Sequence, residues 1–448
     1  MDQASSTLQG SKAFEVNNRL VLAIAIPMTL AYITTPLLGL VDTAVVGQFG
    51  NAALLGGLAA GAIIFDVVFS SFNFLRSGTT GLVAQAFGRG DALEERAVFL
   101  RACAIALGCG LGMVLFAPLI AALGEWFMGA VPDVTAAMDT YIRIRLLSSP
   151  AALLNYAILG YFLGRGEANL GLLMQLVLNG VNIMLSIWFG LHLGWGVAGV
   201  AWGTLCGEAI TALLGLSIII RRFALMPKVD WGQTFAVAAM RRMLALNGDI
   251  MIRSFVLMGA FTLLTRQGAQ LGTLTLAANA VLMHFFMVSS YFLDGFATAA
   301  EQLAGRAVGA RYLPAFNRAI RLTSLWGFGM AGVASVIVIL FGDQLIAIVT
   351  TAEAVRAEAA YYLPWAAFTA LSGVMAFQMD GVFIGATWSR DMRNMMLLSF
   401  VAFVAALLAF GHYFGNHGLW AALHIFLLTR GLSLFAILPR SVRATFQG

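Results

Sequence analysis

The chain has 448 residues, of which 60% are hydrophobic and only 10% are charged, and its formal net charge is +5. Soluble domains carry about 25% charged residues, so a soluble protein of this composition would expose large apolar patches to water. The composition therefore argues against an ordinary water-soluble protein and indicates that lipid is the main solvent. The basic residues lie between apolar runs rather than on one polar face, which argues against nucleic-acid binding.

Apolar segments follow one another along the chain, and each is long enough to cross a bilayer as an α-helix, which takes about 20 mostly apolar residues. The predicted spans are residues 20–47, 53–80, 97–122, 139–164, 169–192, 197–220, 243–266, 274–303, 317–341, 358–386, 394–412 and 418–438. The predicted fold class is therefore an all-α polytopic membrane protein with about twelve transmembrane helices.

The loops between these spans alternate in charge. Every second loop carries arginines such as Arg89, Arg165, Arg306 and Arg390, whereas the loops between them are poor in basic residues or mainly acidic. Loops rich in lysine and arginine face the cytoplasm. This alternation predicts an even number of spans with both termini in the cytoplasm.

The longest basic connection lies at residues 221–242 and carries a tryptophan and two adjacent arginines. This composition is typical of a segment that lies at the membrane surface. We predict that it is a cytoplasmic interfacial linker between an N-lobe at residues 1–220 and a C-lobe at residues 243–448, with six helices in each lobe.

The two predicted lobes resemble each other in sequence. Gly88 and Gly309 end similar short motifs, as do Gly164 and Gly385, and both pairs are separated by 221 residues (309 − 88 and 385 − 164). A repeat of six helices gives two copies related by an axis along the membrane normal, and transporters built in this way bind substrate between the copies. We therefore expect two pseudo-symmetric lobes around a central cavity.

Asp42 lies deep in the first predicted span, and no basic residue within that span can pair with it. An ionisable group inside the membrane costs about 2.5–3.5 kcal/mol on insertion scales, so it usually faces a cavity or a partner. Burial disfavours the charged form of a carboxyl, which suits a group that binds and releases a proton. Pro36 removes one helical hydrogen bond nearby and creates a point where the helix can bend. The alternative is a carboxylate held near the interface for structure.

Polar residues on the fifth and sixth predicted spans extend this candidate site. Asn179, Asn182 and Ser186 are spaced three and four apart, which places them on one helix face, and Thr204 on the next span could join them. Together with Asp42, these side chains could hold a proton network or a small cation. Hydrogen bonding between helices is the alternative role for them.

The second half of the chain has ionisable groups of its own within predicted spans. Asp249 and Arg253 are four apart, and we expect them to form a structural ion pair on one helix face. The candidate polar groups of a C-lobe cavity are Asp294, Glu301, Asp380 and His284. For the histidine, a hydrogen bond that serves packing is the alternative.

Motifs for catalysis and for cofactors do not occur in the sequence. It contains neither the GxxxxGK[ST] nucleotide motif nor a nucleophile–base set, and the cysteines at positions 103, 109 and 206 lack metal-binding spacing. We therefore expect neither an enzyme nor a resident cofactor or metal.

Four motifs resemble those of the multidrug-and-toxin-extrusion (MATE) transporter family, and most closely its bacterial DinF-like branch. They lie at residues 36–47 (PLLGLVDTAVVG), 80–88 (TGLVAQAFG), 293–297 (LDGFA) and 380–386 (DGVFIGA). The resemblance covers nearly the whole chain. It implies a V-shaped pair of six-helix lobes around a cavity, in a monomer surrounded by lipid in the bacterial inner membrane. It also implies export of small amphipathic or cationic compounds in exchange for inward-moving protons or sodium ions.

The resemblance also implies roles for particular residues. Asp42 matches the first-helix aspartate that this family protonates while that helix bends, and Asn182 and Thr204 match positions of the N-lobe polar site. Ser186 departs from the family pattern, because many relatives have a second aspartate there. Sodium favours charged oxygen ligands, so the loss of this anion favours protons as the coupling ion.

Two alternatives remain at the level of sequence. One is a sodium-coupled exporter of the same fold, and the other is a lipid-linked oligosaccharide flippase. A flippase should have several cations in its cavity to bind pyrophosphate. The ionisable groups identified inside the spans are mainly acidic, which disfavours a flippase.

Overall fold

The structure is a computed structural model that describes residues 14–228 and 230–447, and every regular element in these ranges is helical. The α-helices are α1 (Asn18–Gly47), α2 (Ala52–Ser70), α3 (Phe74–Arg89), α4 (Ala92–Leu115), α5 (Ala117–Met128), α6 (Pro132–Leu147), α7 (Ser149–Gly164), α8 (Ala168–Ile187), α9 (Gly196–Phe223), α10 (Trp231–Thr234), α11 (Val237–Gln270), α12 (Thr273–Gly309), α13 (Leu313–Val349), α14 (Glu353–Gly385) and α15 (Ser389–Phe446). A 3₁₀ turn at Ser71–Asn73 joins α2 to α3, and a π-helical turn at Trp188–His192 follows α8.

Within the described ranges, eleven helical segments are long and apolar enough to cross a membrane, and the number is twelve if α6 and α7 together form one span. This confirms the predicted all-α polytopic class. The axes of α6 and α7 differ by 52°. Pro150 lies in the first turn of α7, where its missing N–H is tolerated at a helix start but interrupts the continuation of α6. The fourth predicted span is therefore bent.

Two further spans contain features that hydropathy does not show. α1 is helical on both sides of Pro36, so the predicted bending point lies inside a continuous helix. α15 contains two apolar spans, at Ser389–Gly411 and Tyr413–Phe446. The helix is kinked at Gly415, close to the start of the second of these spans, where a φ of 53° is readily adopted by glycine because it has no Cβ atom.

Packing divides the chain into two compact units, which we name by the half of the sequence that dominates them. The first-half unit contains Leu30–Phe87 and Asp91–Asn247. The second-half unit contains the described residues up to Thr29, residues Gly88–Gly90 and the chain from Gly248 onward. The division therefore falls inside α1.

The lobe ranges 1–220 and 243–448, and the linker between them, stay a prediction. Residues 1–13 of that N-lobe, residue 229 of the linker and residue 448 lie outside the described residues. In the rest of the linker, α9 ends at Phe223 and the short α10 follows.

The internal repeat is visible in the contacts between helices. In the first-half unit, a Cβ atom on Gly164 of α7 would lie 2.8 Å from the carbonyl oxygen of Thr80 on α3. In the second-half unit, a Cβ atom on Gly385 of α14 would collide with the carbonyl oxygen of Glu301 on α12. One turn earlier, a Cβ atom on Gly160 would collide with the carbonyl oxygen of Arg76 in the same way, and a Cβ atom on Gly381 would collide with that of Ala297. All four pairs of equivalent residues are 221 apart (385 − 164, 301 − 80, 381 − 160, 297 − 76), so both halves use glycines for the same close backbone approach.

Candidate functional site

Asp42 on α1 lies in the first-half unit with only 7% of its surface exposed. Ser186 on α8 lies against its carboxyl group, and Ser186 Oγ donates a hydrogen bond of 2.9 Å to Asn182 Oδ1. Both α8 side chains are fully buried. Asp42 Oδ1 has no hydrogen-bond partner in the described part of the chain. A buried carboxyl oxygen without a donor disfavours the ionised form, so this position is suited to binding a proton.

The close approach of α8 to α9 positions this polar group. Gly199, Gly203 and Gly207 are spaced four apart, so they form one face of α9 that has no side chains. A Cβ atom on Gly203 would lie 2.6 Å from the backbone nitrogen of Ser186. Small residues at this spacing let two helix backbones approach closely, as in other membrane helix pairs. Residues 182 and 186 of α8 are therefore held against α9.

Two of the predicted site residues form their hydrogen bonds elsewhere. Thr204 Oγ1 donates to Val200 O of its own helix at 3.1 Å, and Asn179 Nδ2 donates to Thr34 Oγ1 on α1 at 2.8 Å. Asn179 thus ties α8 to α1 eight residues before Asp42. The structure brings the aspartate together with residues 182 and 186, whereas Asn179 lies at the periphery. The roles of all five residues in coupling stay a prediction.

Charged residues from three other helices surround this site, and the sequence analysis missed them. Arg145 on α6 forms an ion pair with Glu208 on α9, with 3.1 Å between Nη1 and Oε1. Each residue is only 8% exposed. The guanidinium lies 4.0 Å from the centre of the Phe65 ring on α2, and it also interacts electrostatically with Asp42 and with Asp66. The first-span carboxyl therefore has a basic neighbour, supplied by another helix.

One signal for these residues was present in the sequence. Arg145 and Glu208 lie inside the predicted spans 139–164 and 197–220, and Asp66 lies inside 53–80. Because any charged residue within a span carries the insertion cost, a complete inventory of such residues would have identified all three. Their mutual contacts could not have been derived, because the sequence does not specify which helix faces meet.

In the second-half unit, Asp380 on α14 forms ion pairs with two arginines. Its Oδ2 atom contacts both Arg253 on α11 and Arg430 on α15. The side chains of Asp380 and Arg430 are 6% and 4% exposed. A buried carboxylate is costly unless it is paired, and two guanidinium groups supply the compensation here. Asp380 thus lies in an ion-pair network rather than against empty space.

The predicted ion pair between Asp249 and Arg253 is not formed. Arg253 pairs with Asp380 on another helix, and Asp249 contacts Arg393 at 2.6 Å and Ser389 Oγ at 2.9 Å. Asp249 is also buried, but Arg393 and Ser389 already satisfy its carboxylate, so Arg253 is left for Asp380. Spacing of four residues brought both side chains to one helix face but did not decide their partners.

Three candidates of the second half remain, and they lie at different heights along the axis of α12. His284 is exposed, and its Nδ1 atom lies 2.7 Å from Ala280 O of the same helix. Asp294 is half-buried and interacts electrostatically with Arg430, whereas Glu301 is 2% exposed. At a rise of about 1.5 Å per residue, His284 and Glu301 lie about 15 Å and 10 Å from Asp294 along the helix axis, so the three form no single cluster.

From the sequence we expected mainly acidic groups inside the spans, and the structure corrects this expectation. Arg145 and Arg430 are buried, and Arg253 is mostly buried. Each of them contacts a carboxylate, so cations and anions occur together in both units. The comparison of charges alone therefore no longer separates an exporter from a flippase.

A helical chain with eleven or twelve apolar spans, an internal repeat and buried charged groups in both halves has the features of a multi-pass membrane transporter. The comparisons with known proteins define the family. The chain belongs to the MatE family, whose model matches residues 27–188 and 250–410. The two matched ranges begin 223 residues apart (250 − 27), which is within two residues of the 221-residue repeat.

Individual relatives cover nearly the full chain. It is 38% identical to DNA damage-inducible protein F of Escherichia coli over 94% of this chain and 92% of that protein. It is 26% identical to the probable multidrug resistance protein NorM of Chromobacterium violaceum, over 95% of this chain and 94% of that protein. A solved MOP superfamily transporter from Pyrococcus furiosus has the same fold, with a TM-score of 0.87, 19% identity and coverage of 96% of each chain. These matches confirm the resemblance to the DinF-like branch, and this family is one of transporters rather than enzymes.

Proposed function

We propose that the protein exports small amphipathic or cationic compounds and that inward movement of protons, bound by Asp42, drives this export. Support for the substrate class comes from relatives such as NorM of Chromobacterium violaceum, which carries the name of a multidrug resistance protein. Support for the proton comes from one observation above all, the buried Asp42 carboxyl with an oxygen that no donor among the described residues contacts.

One feature of the site favours a proton over sodium. Ser186 contributes a neutral hydroxyl next to Asp42, so this carboxyl is the one anionic group that the site residues on α1 and α8 offer to a cation. A proton needs only the carboxyl oxygen itself. The sodium-coupled exporter of the same fold is therefore the second candidate.

The flippase is disfavoured by how the arginines are paired. Binding of a pyrophosphate needs cations that can turn toward it, but Arg253 and Arg430 already share the buried Asp380. Removing these guanidinium groups from their carboxylate would leave buried charges unpaired.

The proposed cycle begins with an ionised Asp42 in the state open to the periplasm. A proton binds Asp42, α1 bends near Pro36 where one helical hydrogen bond is missing, and the compound is released. The state open to the cytoplasm then releases the proton. Each proton that moves down the membrane potential contributes about 2.3 kcal/mol per 100 mV. In this scheme the protein is a monomer in the inner membrane with both termini in the cytoplasm.

Transport by purified protein in liposomes tests the coupling ion. With a pH gradient as the only driving force, we expect uphill movement of a fluorescent organic cation, and we expect collapse of the gradient by a protonophore to stop it. A sodium gradient of equal size at constant pH should drive no uphill transport. Accumulation that follows the sodium gradient alone would reject the proton and support the second candidate.

A further inference from the structure

We propose that Arg145 is a shared counter-ion that makes proton binding at Asp42 and cation binding at Glu208 and Asp66 mutually exclusive. This inference rests on the proposed function and adds to it the residues that bind the transported cation and the device that couples the two events. It assigns Arg145 a positioning role, and it assigns Glu208 and Asp66 contact with the substrate.

The first observation is that one guanidinium has three carboxyl neighbours. Arg145 on α6 pairs directly with Glu208 on α9 and interacts electrostatically with Asp42 on α1 and Asp66 on α2. Arg145 and Glu208 are almost fully buried, whereas Asp66 is exposed at the surface of the first-half unit. One guanidinium cannot pair with three carboxylates at the same time, so the carboxyls compete for it.

The second observation is incomplete hydrogen bonding at the same place. Arg145 Nε, Glu208 Oε2 and Asp42 Oδ1 are buried and have no hydrogen-bond partner in the described residues. Buried polar atoms are paired in most native structures, and exceptions gathered at one point require an explanation. An arginine that moves between carboxyls explains them, because any one arrangement leaves part of the group unsatisfied.

The third observation is the aromatic character of the surroundings. The ring of Phe65 lies under the Arg145 guanidinium, and Tyr141 and Tyr156 interact electrostatically with the same group of charges. Aromatic faces and carboxylates together bind organic cations. The other charged neighbour is Arg76 on α3, which hydrogen-bonds Asn73 and Ser77 of its own chain segment.

Exclusion follows from these charges. When Asp42 is protonated, Arg145 is available to Glu208 and Asp66 and neutralises them, so an incoming organic cation finds no free anion. When an organic cation pairs with Glu208 and Asp66, it displaces Arg145 toward Asp42. A guanidinium beside a carboxyl favours its ionised form, so the proton leaves. Binding of either species therefore weakens binding of the other, as antiport requires.

The test measures binding of tetraphenylphosphonium to the full-length protein in lipid nanodiscs as a function of pH. Because the bound proton excludes the cation, we expect binding to increase as pH rises, with a midpoint set by Asp42. E208Q removes a competitor for Arg145, so the guanidinium stabilises the ionised Asp42 and the midpoint shifts to lower pH. R145Q removes the guanidinium that links the two sites, so cation binding should lose most of its dependence on pH. The shift in E208Q should be about one pH unit, since a charge this close typically changes proton affinity by that order.

Two controls keep the result decisive. R145Q/E208Q removes both members of the ion pair, so neither is left as a buried charge without its direct partner, and it should fold even where R145Q does not. Its cation binding should likewise depend little on pH. R143Q changes an exposed arginine of the same helix and should leave the midpoint unchanged. A pH dependence that persists unchanged in a folded variant lacking Arg145, or an unshifted midpoint in E208Q, would reject the shared counter-ion. Unchanged pH dependence in D42N would instead reject the proposed function itself.

Discussion

Replacement of Asp42 by asparagine is expected to abolish uphill export and to leave the protein folded. The amide has nearly the volume of the carboxyl and occupies the same buried position, but it cannot bind and release a proton. Without that step, a membrane potential has no bound proton on which to act. In inside-out vesicles energised by respiration, accumulation of a fluorescent cation should fall to the level of vesicles that lack the protein.

The matched control for this variant is D139N. Asp139 pairs with Arg143 on α6, and their side chains are 28% and 51% exposed, so this carboxylate is solvated and lies in no buried network. Exposed ion pairs contribute at most about 1 kcal/mol, and we expect D139N to transport like the unmodified protein. Full export by D42N, with both variants present in equal amounts, would remove Asp42 from the mechanism.

Removal of the Asp380 carboxylate is expected to have the largest effect on stability. In D380A, Arg253 and Arg430 would remain mostly buried and would lose the anion that they share. Loss of one partner from a buried ion pair typically costs about 3–5 kcal/mol, because the remaining charge is left uncompensated. Thermal unfolding of the purified protein in detergent should therefore begin at a clearly lower temperature.

The control for D380A is D249A in the same unit. Asp249 pairs with Arg393, whose side chain is 30% exposed and can turn into water when the carboxylate is removed. The loss should therefore be smaller than in D380A, because no fully buried guanidinium is left without its anion. If D380A unfolds at the same temperature as D249A, the network around Asp380 does not stabilise the second-half unit. Asp380 would then be better explained as a group that serves transport.

The sequence was sufficient for the scaffold because the scaffold depends on local properties. Segment length and hydropathy predicted the spans, and glycines 221 residues apart predicted the repeat that Gly164 and Gly385 display in their helix contacts. The bend between α6 and α7 was missed, although Pro150 marks it. Hydropathy averages over a window and does not register the loss of one N–H group.

The candidate site was predictable only in part because its partners come from different helices. Helical spacing grouped Asn182 with Ser186 correctly, and their hydrogen bond spans four residues. Helical spacing did not predict the partners of Asp249 and Arg253, because each of them pairs with a residue on another helix. Periodicity states which residues share a face, whereas the pairing of charges depends on which faces meet.

The repeat conserves packing and not charge. The position equivalent to Asp380 in the first half is Leu159 (380 − 221), directly before the matched Gly160. Glycines remain at both copies of the α3–α7 and α12–α14 contacts because the backbones must approach closely there. The ionisable groups are free to differ, which is consistent with a scaffold on which each half has its own chemistry.

The competition between proton and organic cation is tested most directly by proton release on binding. Tetraphenylphosphonium is added to the purified protein in weakly buffered solution, near the pH at which half of the protein binds it, and the change in pH is recorded. The account predicts release of protons by the unmodified protein, up to about one per bound cation, and none by D42N. Equal release by D42N, or binding to the unmodified protein without release, would contradict it.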